Sequence, residues 1–380
     1  MKRLRSDHST PKVPCDVMIT TTTRTTVDAF LLPLIEELSS RGMRVHLVVG
    51  DAAPNSRVED AIHRIPMVRG ISPLRDARAL LSWISLLNEI KPPLLICATP
   101  KASLLSMLAA AIVGVPDRTL FLFGAVWDGA SGGRRLLLEC SDSVAIACST
   151  RVLSISPSLR GLCYRRGITK KAIDLVGAGS VSGVDLQRFL PLEEPGPCDH
   201  ISYIGRIHAD KGLATAIRAL DAARAHFPVR LRVVGALDVS NPPPADVVDA
   251  LRNHPYIDWV GQSDEVERYL QDSLVLLLPS SREGHGQIAL EAQASGVPVI
   301  GWRVTGVVDS VEDGVTGILC DFQDEQAFFR ALILLLGNPD LRAQMGRSGR
   351  AYVEANFEEA VVSKSVVDYF LHTNSQGCMG

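Results

Sequence analysis

Residues Ser280 to Gly301 read S-S-R-E-G-H-G-Q-I-A-L-E-A-Q-A-S-G-V-P-V-I-G. The apolar run before them, Leu274 to Leu278, predicts a strand buried on both faces. Arg282 to Gly286 form a polar loop with two glycines. Gln287 to Ala294 favour a helix, and Gly296 stops it. Val297 to Ile300 predict a second buried strand. A strand, glycine loop, helix and strand in that order present a helix N-terminus at the carboxyl edge of a parallel sheet. Free backbone N–H groups there suit an anion or a polar sugar. Two carboxylates flank the helix start, Glu283 in the loop and Glu291 within the helix.

The same rhythm extends in both directions. Upstream, predicted strands at Cys15–Thr21, Val45–Val49, Leu94–Ala98, Leu120–Phe123 and Val152–Ile155 alternate with helices over residues 27–40, 74–90, 101–113, 134–147 and 157–166. Val184 to Asp199, rich in Pro and charge, breaks it and predicts an interdomain linker. The rhythm resumes with strands at Ile201–Ile204, Arg230–Val234 and Ile257–Val260, and consecutive helices close the chain. At 380 residues the chain is long for one core. The expected fold is α/β: two doubly wound parallel-sheet domains facing across a cleft.

Composition excludes several classes. A formal charge of −3 provides no general drive toward nucleic acid. The eight cysteines contain no C-x-x-C pair, as expected of reduced thiols in a cytoplasmic protein. Met1 to Pro14 is basic and polar without an apolar core, which predicts a disordered tail and not a secretory signal. No segment approaches the roughly 20 apolar residues of a membrane span. Peripheral contact with the inner membrane face through surface helices is left open.

A second polar loop follows the strand at Ile201–Ile204. It reads Gly205-Arg206-Ile207-His208-Ala209-Asp210-Lys211-Gly212. Two cations at a strand end and helix mouth suit a diphosphate: Arg as a fork, Lys as a point charge. The alternative is a solvated loop whose cations pair with Asp210. In the first domain, Thr20 to Thr26, interrupted by Arg24, admits turn chemistry and capping or substrate contact equally.

Taken together, G-R-I-H-A-D-K-G and S-R-E-G-H-G-Q-I-A-L-E-A resemble the glycosyltransferase family 4 pattern on a GT-B fold. G-V-D-L-Q-R-F at 183–189 and V-E-D-G-V-T-G at 311–317 match flanking segments of that family. G-I-S-P-L-R-D at 70–76, T-P-K-A-S at 99–103 and R-R-L-L-L-E at 134–139 are similar to its capsular and exopolysaccharide branch. The resemblance implies Rossmann-like domains over about 15–190 and 199–357, with a C-terminal helix at about 358–372 crossing back to the first. It implies a retaining transferase that uses a nucleotide sugar, UDP-linked as is usual in the family, without a metal or other cofactor. Arg206 and Lys211 would hold the diphosphate and Glu291 the ribose. Glu283, with Gly286, Gln287 and Ile288 behind it, would hold the sugar, and Gly205 and His285 would complete the donor site. Thr23, Arg24, Lys101 and Phe123 fall on the acceptor side. The implied acceptor is a saccharide or lipid-linked saccharide, with a small natural product as the alternative. A non-catalytic nucleotide-sugar binder and an epimerase are further readings.

Two departures stand out. Phe123 occupies the position of a family histidine that contacts the donor sugar, and Phe cannot hydrogen-bond there. Ile96, Cys97 and Ala98 stand where the branch often has H-x-H. His285 and His208 are candidates to take over the lost contact.

Overall fold

The computed structural model describes residues 16–51, 61–67, 70, 72–192, 198–239 and 241–374. The expected tail over Met1–Pro14 lies outside them, as do residues 193–197 of the expected linker. The chain divides into two compact units. One holds the described residues up to Phe121 together with Ser141–Val152; the other holds Leu122–Cys140 and the described residues from Leu153 onward.

The first sheet contains β1 (Asp16–Thr20), β2 (Arg44–Val49), β3 (Ala61–Arg64), β4 (Leu94–Cys97), β5 (Asp117–Leu122) and β6 (Arg151–Ser154). Its helices are α1 (Arg24–Phe30), α2 (Leu32–Ser40), α3 (Pro73–Ile90), α4 (Pro100–Val113), α5 (Gly132–Cys148) and α6 (Pro157–Arg165). The strand order is β3-β2-β1-β4-β5-β6. A single helix is expected over 27–40, but α1 stops at Phe30 and α2 restarts at Leu32. Pro33 is the reason: without an N–H, and with its ring against the preceding turn, it is tolerated only in a helix's first turn.

The second sheet contains β7 (His200–Ile204), β8 (Arg230–Val234), β9 (Ile257–Gly261), β10 (Leu276–Leu278), β11 (Val299–Trp302) and β12 (Gly317–Cys320). Between and after them lie α7 (Leu213–Arg224), α8 (Ala245–Asn253), α9 (Val266–Gln271), α10 (Gln287–Ala294), α11 (Val307–Ser310), α12 (Glu325–Gly337), α13 (Pro339–Asn356) and α14 (Glu359–Asn374). The order is β12-β11-β10-β7-β8-β9, with parallel pairing throughout the recorded registers. Read from the other edge it repeats the first sheet's winding. Each is the doubly wound order with its reversal between the first and fourth strands.

Strand side chains alternate between two cores. Ile201, Tyr203, Leu231, Val233 and Leu277 pack with Leu220, Phe328 and Leu332 on one face. Ile204, Val234, Leu276 and Leu278 pack with Leu290, Val353 and Phe357 on the other. This period of two lets helices cover both faces of the sheet. The start of the expected linker is not free chain. Val184 and Phe189 are buried in the second of these cores, and Val184 N donates to Phe357 O at 2.7 Å. Among the described residues, no helix is long and apolar enough to cross a membrane.

Candidate active site

Where the winding of a parallel sheet reverses, neighbouring strands send their connections to opposite faces and a crevice opens at their carboxyl ends. In the second sheet those strands are β7 and β10. Arg206 and Lys211 follow β7; Glu283 and the N-terminus of α10 follow β10. The two segments singled out in the sequence, about 75 residues apart, therefore meet at one switch point. In the first sheet the corresponding strands are β1 and β4, followed by Thr23–Arg24 and by Lys101.

Lys211 Nζ lies 2.6 Å from Glu283 Oε1, and both side chains are largely shielded from solvent. Lys211 ends a single 3-10 turn, Ala209–Lys211. Gly212 follows at φ +71°, where an added Cβ would sit 2.0 Å from Pro279 O; only glycine permits this approach of the β7 loop to β10. Ser281 N donates to Asp210 O at 2.8 Å, and Glu283 N donates to Thr305 O at 3.0 Å, so the loop is fixed on both sides. Arg206 is exposed and donates from Nη1 to Asp238 Oδ2 at 2.8 Å. The alternative in which the loop cations pair with Asp210 is corrected here. Asp210 takes Arg282, with Nη2 at 2.9 Å, and His208.

Helix α10 occupies the residues expected of it. Its N-cap, Gly286, adopts φ +70°. The N–H groups of Gly286, Gln287 and Ile288 have no acceptor among the described residues. They form an anion- or hydroxyl-binding end beside the Lys211–Glu283 pair. Gln287 is turned away, its Nε2 donating to Gly183 O at 2.7 Å. Glu291 lies one turn beyond it. Burial raises its carboxyl to about 7, against the opposing effects of a Gln287 hydrogen bond and the Arg188 charge. A carboxyl so poised gains from any ligand hydroxyl that donates to it.

His285 departs from expectation. Its ring is only 5% exposed, stands edge-on to Phe357 at 5.0 Å between centroids, and has no hydrogen-bond partner on either nitrogen. Burial lowers its pKa to about 4, so it is neutral. The side chain is part of the core and not a donor contact; only its backbone belongs to the loop. His208 accepts from Asp210 N at 3.3 Å and pairs with the Asp210 carboxylate, contacts that shape the loop.

The first-domain candidates are held by their own unit. Arg24 is buried, with Nε on Asp28 Oδ1 at 2.7 Å and its N–H on Asp51 Oδ1 at 2.9 Å. Thr23 is the N-cap of α1 but makes no side-chain cap bond. Lys101 Nζ reaches Asp76 Oδ2 at 2.5 Å and Gly70 O at 3.1 Å, which joins the T-P-K and G-I-S-P-L-R-D motifs. Phe123 falls in the second unit, and its carbonyl oxygen would lie 2.2 Å from a Cβ on Gly284. That close approach presses residue 123 directly against the donor loop.

Sequence reasoning assigned no role to two residues here, Arg282 and Tyr203. Arg282 and Asp210 brace the two loops, and Tyr203 places a buried, unpartnered hydroxyl in the same region. Burial raises the Tyr203 pKa, and the charges of Glu283 and Asp210 add to the effect. The position of Arg282 beside Glu283 was the available signal; Tyr203 offered none. Elsewhere Cys198, His200 and Asp272 converge within metal-ligand range. Their groups are otherwise engaged: His200 lies between Asp199 and Asp258, and Asp272 pairs with Arg232 at 2.7 Å.

Two parallel Rossmann-like sheets, with a cation–carboxylate pair and a bare helix N-terminus at the second switch point, have the architecture of the GT-B fold class. The comparisons narrow the class to a family. The profile described as "Glycosyl transferases group 1" matches residues 198–338, and that of a "Glycosyl transferase 4-like domain" matches residues 25–179. The Staphylococcus aureus capsular polysaccharide biosynthesis glycosyltransferase CapM is 30% identical over 86% of this chain and 90% of its own length. N-acetyl-alpha-D-glucosaminyl L-malate synthase of Bacillus anthracis is 36% identical over 30% of each chain. Among solved structures, sucrose-phosphate synthase from Thermosynechococcus elongatus superposes with a TM-score of 0.78 at 19% identity, covering 96% of this chain and all of that one. Anabaena HepE in complex with UDP superposes at 0.75 and 13% identity, covering 94% of this chain and all of its own. The chain belongs to the group 1 glycosyltransferases of the GT-B type, and it is a glycosyltransferase.

Proposed function

We propose that the protein transfers a sugar from a UDP-linked donor to a saccharide hydroxyl, with retention of anomeric configuration, in the assembly of a surface polysaccharide. The observation that carries this reading is the Lys211–Glu283 pair at 2.6 Å beside the unpaired N–H groups of Gly286, Gln287 and Ile288. In this reading the β-phosphate of the donor displaces Glu283 from Lys211 and takes Arg206 as its second cation. Charge develops on that phosphate as the anomeric C–O bond breaks. The acceptor oxygen bonds to the same face of the anomeric carbon and passes its proton to the departing phosphate. Lys211 and Arg206 stabilise the leaving group in place of a metal ion. Glu283, released from Lys211, accepts hydrogen bonds from donor-sugar hydroxyls, and Glu291 accepts those of the ribose diol.

CapM supports the polysaccharide context, and the HepE structures with UDP and with UDP-glucose support the nucleotide. For the acceptor, the lipid-linked form is favoured by α5, where Leu136 and Leu137 are exposed beside Arg134 and Arg135. An exposed apolar helix start beside a basic residue suits a lipid surface, which in this reading is the cytoplasmic face of the membrane; Arg135 itself is paired with Glu139 at 2.7 Å. The test is a thermal-shift panel of UDP- and GDP-sugars followed by transfer assays. Stabilisation by UDP-sugars alone supports the reading; stabilisation by GDP-sugars alone overturns the donor assignment.

A further inference from the structure

On the far side of the Ser281–Glu283 loop from β8 and β9 lies a cavity of about 610 Å³. It opens between α6 and the carboxyl ends of β10, β11 and β12. Three guanidinium groups line it, from Arg165, Arg282 and Arg303, against a single lining carboxylate, Asp128. That carboxylate already faces Arg166 at 3.7 Å. Arg303 is balanced by Asp313 and Asp321. Arg282 donates from Nη2 to Asp210 and from Nη1 to Ala125 O at 3.3 Å, and its buried Nε is without an acceptor. Arg165, exposed at the end of α6, has no ion pair among the described residues. The N-terminus of α6 is not the attraction, because Asp309 already accepts from Ser158 N at 3.1 Å.

Val304, Val308 and Phe322 give the cavity its apolar lining. Phe322 is 47% exposed and edge-on to Trp302 at 6.3 Å. It also lines a neighbouring cavity of about 570 Å³. The residue after it, Gln323, is held at φ +69°, a conformation that side chains rarely adopt without support from their surroundings. A flat ring beside guanidinium forks matches a sugar bearing phosphate. The ring covers the C–H face of the sugar, and the forks take the phosphate oxygens.

We infer that this cavity is a second ligand site of the protein, which binds a phosphorylated sugar independently of the Arg206–Lys211 grip. The sugar phosphate has two possible sources, a soluble sugar phosphate or the head of a lipid-linked sugar diphosphate; the phosphate-on-guanidinium chemistry is common to both. Arg282 ties the cavity to the donor loop, since an anion that draws it away loosens Asp210 next to Lys211.

The experiment is calorimetric titration of the full chain with glucose 1-phosphate and with inorganic pyrophosphate, in the wild type and in a Lys211→Ala background that removes the donor-side cation. Both probes should bind in the Lys211→Ala protein. Arg165→Gln should weaken both roughly tenfold, the loss of one charge-assisted contact. Phe322→Ala should weaken glucose 1-phosphate and leave pyrophosphate unchanged. Arg165 is exposed and unpaired, so its replacement leaves the fold intact. Abolition of all binding by Lys211→Ala, or unchanged affinity in Arg165→Gln, overturns the inference. Co-sedimentation with phosphatidylcholine vesicles containing a polyprenyl phosphate, lost in Arg165→Gln, assigns the lipid source. Glucose 1-phosphate binding without co-sedimentation assigns the soluble one. A donor site that is wrongly placed shows itself separately, as UDP affinity unaffected by Lys211→Ala.

Discussion

Lys211 and Glu283, 72 residues apart in the chain, form an ion pair of 2.6 Å across the switch point of the second sheet. In the proposed donor site the pair keeps the lysine charge satisfied until an anion arrives, and its carboxylate would then be free for sugar hydroxyls. Glu283→Gln preserves the shape of the side chain but weakens both roles. It should lower kcat/KM by about one to two orders of magnitude, since hydrogen bonds to charged groups contribute about 1.5–3 kcal/mol. Steady-state transfer kinetics check this, with melting temperature as the control for folding.

The two perturbed groups of the α10 loop oppose each other in pH. Glu291, with its carboxyl raised to about 7, holds a proton in the folded state that the unfolded chain loses near its ordinary value of 4.5. Its contribution to stability therefore falls as pH rises from about 4.5 to 7. His285, lowered to about 4, is the reverse: the unfolded chain binds the extra proton, so stability rises from about pH 4 to 6.5. Each effect is on the order of 3 kcal/mol at full extent. Melting curves of the wild type should be nearly flat over pH 4.5–6.5 on their account. Glu291→Gln should unmask a rise with pH, and His285→Phe a fall. Parallel profiles in all three proteins would contradict the assignment.

His285→Phe has a second consequence. The ring packs on Phe357 with two unsatisfied nitrogens, and leaving a buried polar group unpaired costs about 1–3 kcal/mol. Phenylalanine keeps the packing and removes that cost. The variant should melt several degrees higher at neutral pH and keep its transfer activity. A large loss of activity with the fold intact would instead return His285 to the chemistry.

Gly212→Ala tests the joint between the loops. The added methyl group meets Pro279 O at 2.0 Å, at a φ that already favours glycine. Strained positions of this kind cost on the order of 1–3 kcal/mol each, and displacement of Pro279 adds to that. Denaturant unfolding should show a loss of at least this size, and donor affinity should fall because Lys211 moves with the turn.

Removal of metal ions tests the role given to the cations. If Arg206 and Lys211 supply the charge at the leaving phosphate, as proposed, EDTA treatment should leave the rate of transfer unchanged. Added magnesium should raise it less than twofold. A rate that collapses with EDTA and returns with a divalent cation would reassign leaving-group stabilisation to a metal.

Much of this site was legible in the chain. Helix α10 begins and ends where Gly286 and Gly296 say it should, because glycine both opens and closes it. The strand-and-helix alternation fixed the class of fold, since buried parallel strands need helices on both faces. What escaped was pairwise. The strands β3 and β12 also escaped: β3 (A-I-H-R) is half-exposed and ends on polar residues, and β12 (G-I-L-C) opens on a glycine, so neither reads as a continuous apolar run. Sequence placed Arg206 and Lys211 in one loop but not their acceptors, Asp238 and Glu283, which only the sheet order brings near. His285 looked polar and available between two glycines. Its inward turn depends on Phe357, 72 positions away.

The central claim is that Lys211 and its carboxylate partner form the donor-phosphate site. Titration of UDP into the wild type and Lys211→Ala, monitored calorimetrically at neutral pH, tests it most directly. The account predicts binding about tenfold to a hundredfold weaker in the variant, the loss of a charge-assisted phosphate contact. UDP affinity unchanged in Lys211→Ala, with the fold intact, would contradict it.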